Sequence, residues 1–219
     1  MDSTIGAARR RSQPGLIAIL AVLAAVVVWF AGRKLHYFTD FSPASYSDYF
    51  WPRRWGLVLH LTGGATAILT GLVQLWLGLT GRTGAPHRAL GRIYVAGVVL
   101  GSVGATYMAM TIPGHLAYKS GLLGMNLAWI ATTGMAVAAI VGGRTLLHRD
   151  WMLRSYAVTF AFVIYRLGSR WLSGWLVVPD DPVATDLDAM LAWGSWALPL
   201  LLVEIGIGIR AMRSGKVGQ

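Results

Sequence analysis

The sequence predicts an all-α integral membrane protein with six transmembrane helices, and three observations lead there. Of its 219 residues, 55% are hydrophobic and only 13% charged, with mean hydropathy +0.56. One soluble core of that size cannot hide so much apolar surface. The charges also gather in short clusters between uncharged runs long enough to cross a bilayer. Finally, one pattern occurs twice: residues 87–94 read HRALGRIY and residues 148–156 read HRDWMLRSY. His-Arg, a short gap and Arg-x-Tyr therefore recur, each time between two apolar runs. Two hairpins of the same orientation make helices two to five a four-helix bundle of two parallel hairpin repeats.

Residues 1–14 form a basic, polar N-terminus with Arg9, Arg10 and Arg11. The uncharged run 15–32 follows. Basic residues before an apolar stretch also suit a secretory signal, but the run ends in Trp29-Phe30-Ala31-Gly32 with no clean small-x-small cleavage site, so it reads as a retained first helix. Residues 33–54 are a polar, aromatic connector suited to a membrane surface.

The second span is expected over 55–80, and the loop 81–91 carries Arg82, His87 and Arg88. The third covers 92–112 and is broken by Pro113-Gly114-His115. The fourth covers 121–142, followed by Arg144, His148, Arg149 and Asp150, and the fifth 154–178. A turn with Asp180, Asp181 and Pro182 leads to the sixth, over 189–212, and residues 213–219 are a basic tail. The membrane domain is thus 15–212 with its core at 55–178. The 27 glycines and 10 tryptophans fit, as close-packing and interfacial residues of membrane helices.

Twelve basic residues fall in the N-terminus, the two His-Arg segments and the tail, against five in the opposite loops. By the positive-inside rule both termini are cytoplasmic. The net charge of +10 therefore marks helix ends and not a nucleic-acid surface. The absence of cysteine excludes disulfides, thiol chemistry and thiolate-bound metals. There is no G-x-S-x-G, no phosphate-binding glycine loop, no His-Glu-x-x-His and no carboxylate cluster for a two-metal site.

His60 with Gly63-Gly64, the HRALGR segment and HRDWMLRSYAVTF together resemble a bacterial membrane-protein family, domain of unknown function 2306, over residues 55–170. The resemblance implies the fold and a place in the bacterial cytoplasmic membrane. It implies no activity.

Several residues are candidates for chemistry. The repeat brings His87 and His148 to one cytoplasmic rim, where two imidazoles facing each other suit the axial positions of a haem b iron. Arg88, Arg92, Arg149 and Arg154 would pair with its propionates. Alternatively these segments are positive-inside determinants that touch membrane lipids.

His60 lies within the second span, where an ionisable group is costly, and Gly63 and Gly64 would let a flat ring approach the backbone. Arg166 lies twelve residues beyond Arg154, roughly 18 Å along the helix, so it shares His60's half of the membrane. An arginine there needs an anion, a carbonyl, water or a route to the surface. His115 is either a ligand opposite His60 or an exposed loop residue. His36 and Arg170 read as surface residues. Glu204 either pairs with Arg210 or Arg213 on its own helix or relays protons. Tyr107, Tyr165 and Asn126 are candidate polar linings.

Three functions follow from these candidates. One is b-type haem or quinone binding with transmembrane electron transfer, as a membrane oxidoreductase component working with quinone or a redox partner protein. The second is transport or binding of a small anionic or lipid-like molecule. The third is a structural or assembly subunit of a larger membrane complex, with homo-oligomerisation also open.

Overall fold

The computed structural model describes residues 14–176 and 182–213, and these are almost wholly helical. The basic N-terminus before Pro14, the turn at Asp180-Asp181 and the tail beyond Arg213 lie outside the described residues. Eight α-helices follow in order: α1 (Pro14–Gly32), α2 (His36–Thr39), α3 (Pro43–Phe50), α4 (Arg54–Leu79), α5 (Ala85–Thr111), α6 (Leu116–Val141), α7 (Thr145–Leu176) and α8 (Pro182–Arg213). A 3₁₀ turn, Trp51–Arg53, joins α3 to α4.

Six helices are long, and five segments are both long and apolar enough to cross a membrane. The sixth, α7, carries Arg149, Asp150, Arg154, Arg166 and Arg170, which lower its hydropathy. Its 32 residues still extend ~48 Å, against a hydrocarbon core of ~30 Å. The molecule is an all-α polytopic membrane protein.

α4 pairs with α5 and α6 with α7. Further contacts of α5 with α6 and of α4 with α7 close these hairpins into a four-helix bundle. α8 lies against α6 and α7, and α1 against α4. One end of the bundle bears the His-Arg segments, and the other bears the connector of α2, α3 and the 3₁₀ turn.

Glycine makes the α4–α5 pair close. A Cβ at Gly63 would fall 2.1 Å from the Gly101 backbone nitrogen, and one at Gly104 2.5 Å from the His60 nitrogen. Gly97, Gly101 and Gly104 thus form one face of α5, and backbone packs directly on backbone. Gly64, the next residue on α4, faces open space. Gly63 therefore serves helix packing and is closed to a ligand, contrary to the expectation for the glycine pair, whereas Gly64 remains open.

The hairpin turns repeat as well. Gly81 (φ +73°) and Gly143 (φ +71°) end α4 and α6 in the left-handed region, followed by Arg82, whose N–H donates to Leu77 O, and Arg144, whose N–H donates to Ala139 O. Such a turn satisfies the last carbonyls of a helix and needs a residue without a Cβ. Each glycine begins a Gly-Arg-Thr triplet, at 81–83 and 143–145. The internal repeat thus starts upstream of each histidine, a signal the sequence carried and the shorter His-Arg pattern missed.

The helices also begin earlier than expected. His87 and His148 lie in the first turns of α5 and α7 and not in loops. Pro86, at a position where a helix needs no N–H, starts α5 ahead of its apolar run. Buried Gln74 donates from Nε2 to the His87 carbonyl and ties that first turn to α4.

At the other end the connector is an aromatic cap. Tyr46 is fully buried, edge-on to Tyr37, Phe41 and Trp51, and donates its hydroxyl to the Tyr37 carbonyl at 2.5 Å. Arg53 donates from Nε and Nη2 to Thr111 O at 3.0 and 2.6 Å, which closes the cap on the last turn of α5.

Substitution should separate the two adjacent glycines. Gly63→Ala forces the α4 and α5 backbones apart and is expected to cost about 1–3 kcal/mol or more, whereas Gly64→Ala is expected to stay within about 0.5 kcal/mol of the parent. Thermal unfolding of the detergent-purified protein measures both.

Candidate functional site

A cavity of about 190 Å³ lies inside the bundle near its connector end, between α4, α5, α6 and α7 and under α1 and the aromatic cap. Its wall is mainly apolar, with Leu57, Leu61, Met108 and Phe162 among the lining side chains. A cavity of ~150 Å³ can take a benzene ring, so this one has room for a single ring or a short stretch of alkyl chain.

The polar groups that reach it are few. His60 and Arg166 both line it, on α4 and α7, so their common depth expected from the sequence becomes a shared site. Phe162 stands between them. Its ring lies edge-on to His60 at 4.6 Å, and Arg166 Cζ lies 5.4 Å from its centroid. His60 Nδ1 is 3.2 Å from the Gly101 carbonyl. That carbonyl can only accept, so Nδ1 carries the proton in this contact and Nε2 is left as an acceptor.

Arg166 has no such arrangement. Its Nε is buried and without a hydrogen-bond partner, and no carboxylate among the described residues forms an ion pair with it. Phe162 and Tyr165 offer it only ring faces, at 5.4 and 5.5 Å. Asp188, on α8, is near enough to feel its charge but not to pair with it. Arg166 as a whole is half-buried, and a cation without a counter-charge is costly in a membrane interior.

Asn126 is the complementary case. Its Nδ2 donates to Thr106 Oγ1 at 2.8 Å and to Ser102 O at 3.3 Å, while its Oδ1 is buried and unpartnered. Asn126 and Tyr165 line the cavity. Tyr107 does not; it packs on Gly56, where a Cβ would meet its ring at 2.3 Å.

Further cations stand beside the cavity. Lys34, half-buried, also lines it. A second cleft of about 270 Å³ shares Phe30, Lys34 and Arg166 with the first and adds Arg33, His36 and Arg170. Lys34 and Arg33 were not singled out from the sequence, where they read as connector charges. Only the return of the α1 end to α7 puts them next to Arg166.

The cavity floor is a buried hydroxyl network. Trp129 donates from Nε1 to Thr159 Oγ1 at 2.7 Å, and Tyr94 OH is 2.7 Å from both Ser155 and Thr159. Thr133 Oγ1 reaches Ser155 at 2.7 Å. The two repeat tyrosines cross here: Tyr94 of α5 bonds to α7, and Tyr156 of α7 lies against Gly71 of α4.

At the His-Arg end, His87 and His148 are half-buried, and His87 is near enough to His148 to feel its charge. His148 Nδ1 lies 2.8 Å from the Ala136 carbonyl, so it donates and Nε2 is the acceptor. His87 Nδ1 is buried without a partner. Arg88, Arg92 and Arg149 are exposed.

Arg154 is taken by Glu204, which accepts from its Nε and, at 2.7 Å, from Nη2. Arg210 pairs with Asp150. Glu204 therefore bridges to α7 and not along its own helix, because the α7–α8 contact brings Arg154 to its level. His115 is exposed at the start of α6 and absent from the cavity lining. His36 lines the second cleft, with its Nδ1 2.9 Å from the Arg33 carbonyl. Among the described residues no group of three or more histidines, aspartates or glutamates is placed to hold a metal ion.

The profile of a family described as Predicted membrane protein (DUF2306) matches residues 57–207, more than half of the chain. The chain belongs to that family. The match extends beyond the region that carried the resemblance and into α8, which packs with α6 and α7 as part of the same unit. His60 and Arg166 lie within it, whereas Arg33 and Lys34 precede it. No curated protein and no solved structure matches the chain.

Tyr94→Phe should show what the hydroxyl network contributes. Its loss leaves Ser155 and Thr159 short of a partner, at an expected cost of about 1–3 kcal/mol, measured by thermal unfolding, with the far-UV circular dichroism of the folded protein unchanged.

Proposed function

We propose that this membrane protein binds a small amphipathic molecule whose apolar body fills the bundle cavity and whose anionic or carbonyl head meets Arg166. The observation that carries this reading is the buried, unpartnered Nε of Arg166 at the edge of an apolar cavity. A guanidinium left without an acceptor in this setting favours a ligand that brings one.

The other polar atoms suit the same kind of ligand. His60 Nε2 and Asn126 Oδ1 are acceptors, so a hydroxyl or N–H on the molecule has somewhere to donate. A quinone or quinol head combines an acceptor with a donor, and a single ring suits the volume. By the positive-inside reading, the cavity occupies the half of the bilayer away from the cytoplasm.

Organic extraction of the purified protein, followed by mass spectrometry, tests this. The parent is expected to retain an amphipathic molecule at near one per chain. Arg166→Gln should retain it about 10–100-fold less, the loss of one charged hydrogen bond, while Arg82→Gln, on an exposed residue at the opposite end of the bundle, retains it as the parent does. Equal retention by the parent and Arg166→Gln would refute the reading.

A second reading rests on the histidine pair. The first turns of α5 and α7 carry the two histidines at one end of the bundle, and the backbone hydrogen bond at His148 Nδ1 is the kind that orients a metal-bound imidazole. The residues fit haem b in their ligand atoms, with Arg88 and Arg149 free to meet propionates and Arg154 already engaged. Bound there, haem would supply one-electron chemistry. A reduced-minus-oxidised absorption spectrum of protein made with ample haem is expected to show a sharp α band that His148→Ala abolishes. A featureless spectrum rules this reading out.

A further inference from the structure

We infer that the head of the bound molecule is a phosphate-type anion seated in the cleft between α1 and α7, so that the ligand is a single-chain lipid phosphate. This rests on the amphiphile-binding reading of the cavity and names the class of molecule.

The cleft and the cavity meet at Phe30, Lys34 and Arg166. One molecule can therefore place a chain in the apolar space and a head in the cleft. Arg33, Lys34, Arg166 and Arg170 converge on the cleft, and among the described residues its lining contains no carboxylate and none of the four forms an ion pair. Aromatic faces hold three of them in place: Arg33 over Trp29 at 5.5 Å, Lys34 over Phe30 at 5.8 Å and over Tyr37 at 5.6 Å, and Arg166 over Phe162.

These contacts orient cations without neutralising them. A carboxylate, with one charge, would leave most of this cluster repelling itself. A phosphate monoester brings a charge of about −1.5 to −2 and three acceptor oxygens, a closer match to four cations.

The route of entry supports a membrane-borne ligand. Val27 is the only buried side chain described in α1, and it holds that helix against Ile68 and Val163. α1 is thus a thin wall between lipid and cleft. A chain already in the bilayer reaches the cavity by displacing one helix face, without crossing water.

The test is thermal stabilisation of the full-length protein in a neutral detergent, since a ligand that binds only the folded state raises the unfolding temperature with concentration. The probes are decyl phosphate, decanoate, decanol and inorganic phosphate. Decyl phosphate is expected to act at about tenfold lower concentration than decanoate, with inorganic phosphate alone ineffective. The double variant Arg33→Gln/Arg170→Gln should lose that preference while decanoate still stabilises, a result that excludes simple misfolding. Equal effects of decyl phosphate, decanoate and decanol would overturn the phosphate assignment and leave the amphiphile reading standing. Stabilisation by inorganic phosphate as strong as by decyl phosphate would overturn the lipid assignment. No response to any of the three chain-bearing probes would overturn both.

Discussion

Everything in this protein depends on how closely α4 and α5 approach. Gly63 and Gly101 leave room for neither side chain, so backbone touches backbone along the seam. In a bilayer no hydrophobic effect draws helices together, and dispersion over a long, well-matched surface has to do it. The seam also orients the site. It sets the Gly101 carbonyl beside His60 Nδ1 and turns Gly64 towards the cavity. The same few residues thus determine both the pairing of the helices and the tautomer of the intramembrane histidine.

A second constraint governs the other hairpin. Tyr94 and Tyr156 occupy matching places in the repeat yet cross the bundle to opposite partners, on α7 and α4. The Tyr94 hydroxyl, with Ser155, Thr159, Thr133 and Trp129 Nε1, forms a network whose members satisfy one another far from water, while the Tyr156 hydroxyl donates to the Ile68 carbonyl. A polar group left alone there would cost several kcal/mol. The network therefore specifies which helices adjoin and forms the floor of the space above it.

Set against these satisfied groups, the cations near the connector end stand out. The charges at the His-Arg end are partly resolved within the protein, through Arg154 with Glu204 and Arg210 with Asp150. At the other end Arg166, Lys34, Arg33 and Arg170 share a cleft with no carboxylate among the described residues of its lining. Helix packing does not require such an arrangement. That arrangement is the reason the proposed ligand is placed at the connector end.

Much of this was legible in the sequence, and the rest was not, for a physical reason. Hydropathy and charge clustering specify helices, spans and their alternation because a bilayer forces backbone hydrogen bonds to be satisfied within each span. The duplicated His-Arg-Tyr pattern specified two like hairpins, and residue spacing along α7 put Arg166 in His60's half of the membrane. These are properties of a single helix or of a repeat, and sequence encodes them directly. Four other features were decided only by the fold: Gly63 closed and Gly64 open, Glu204 joined to Arg154, Lys34 and Arg33 beside Arg166, and His115 kept outside the cavity. Each depends on the rotation of one helix about its axis relative to another. No single span encodes that rotation, because it is set only when small residues, hydroxyls and rings from several helices interlock.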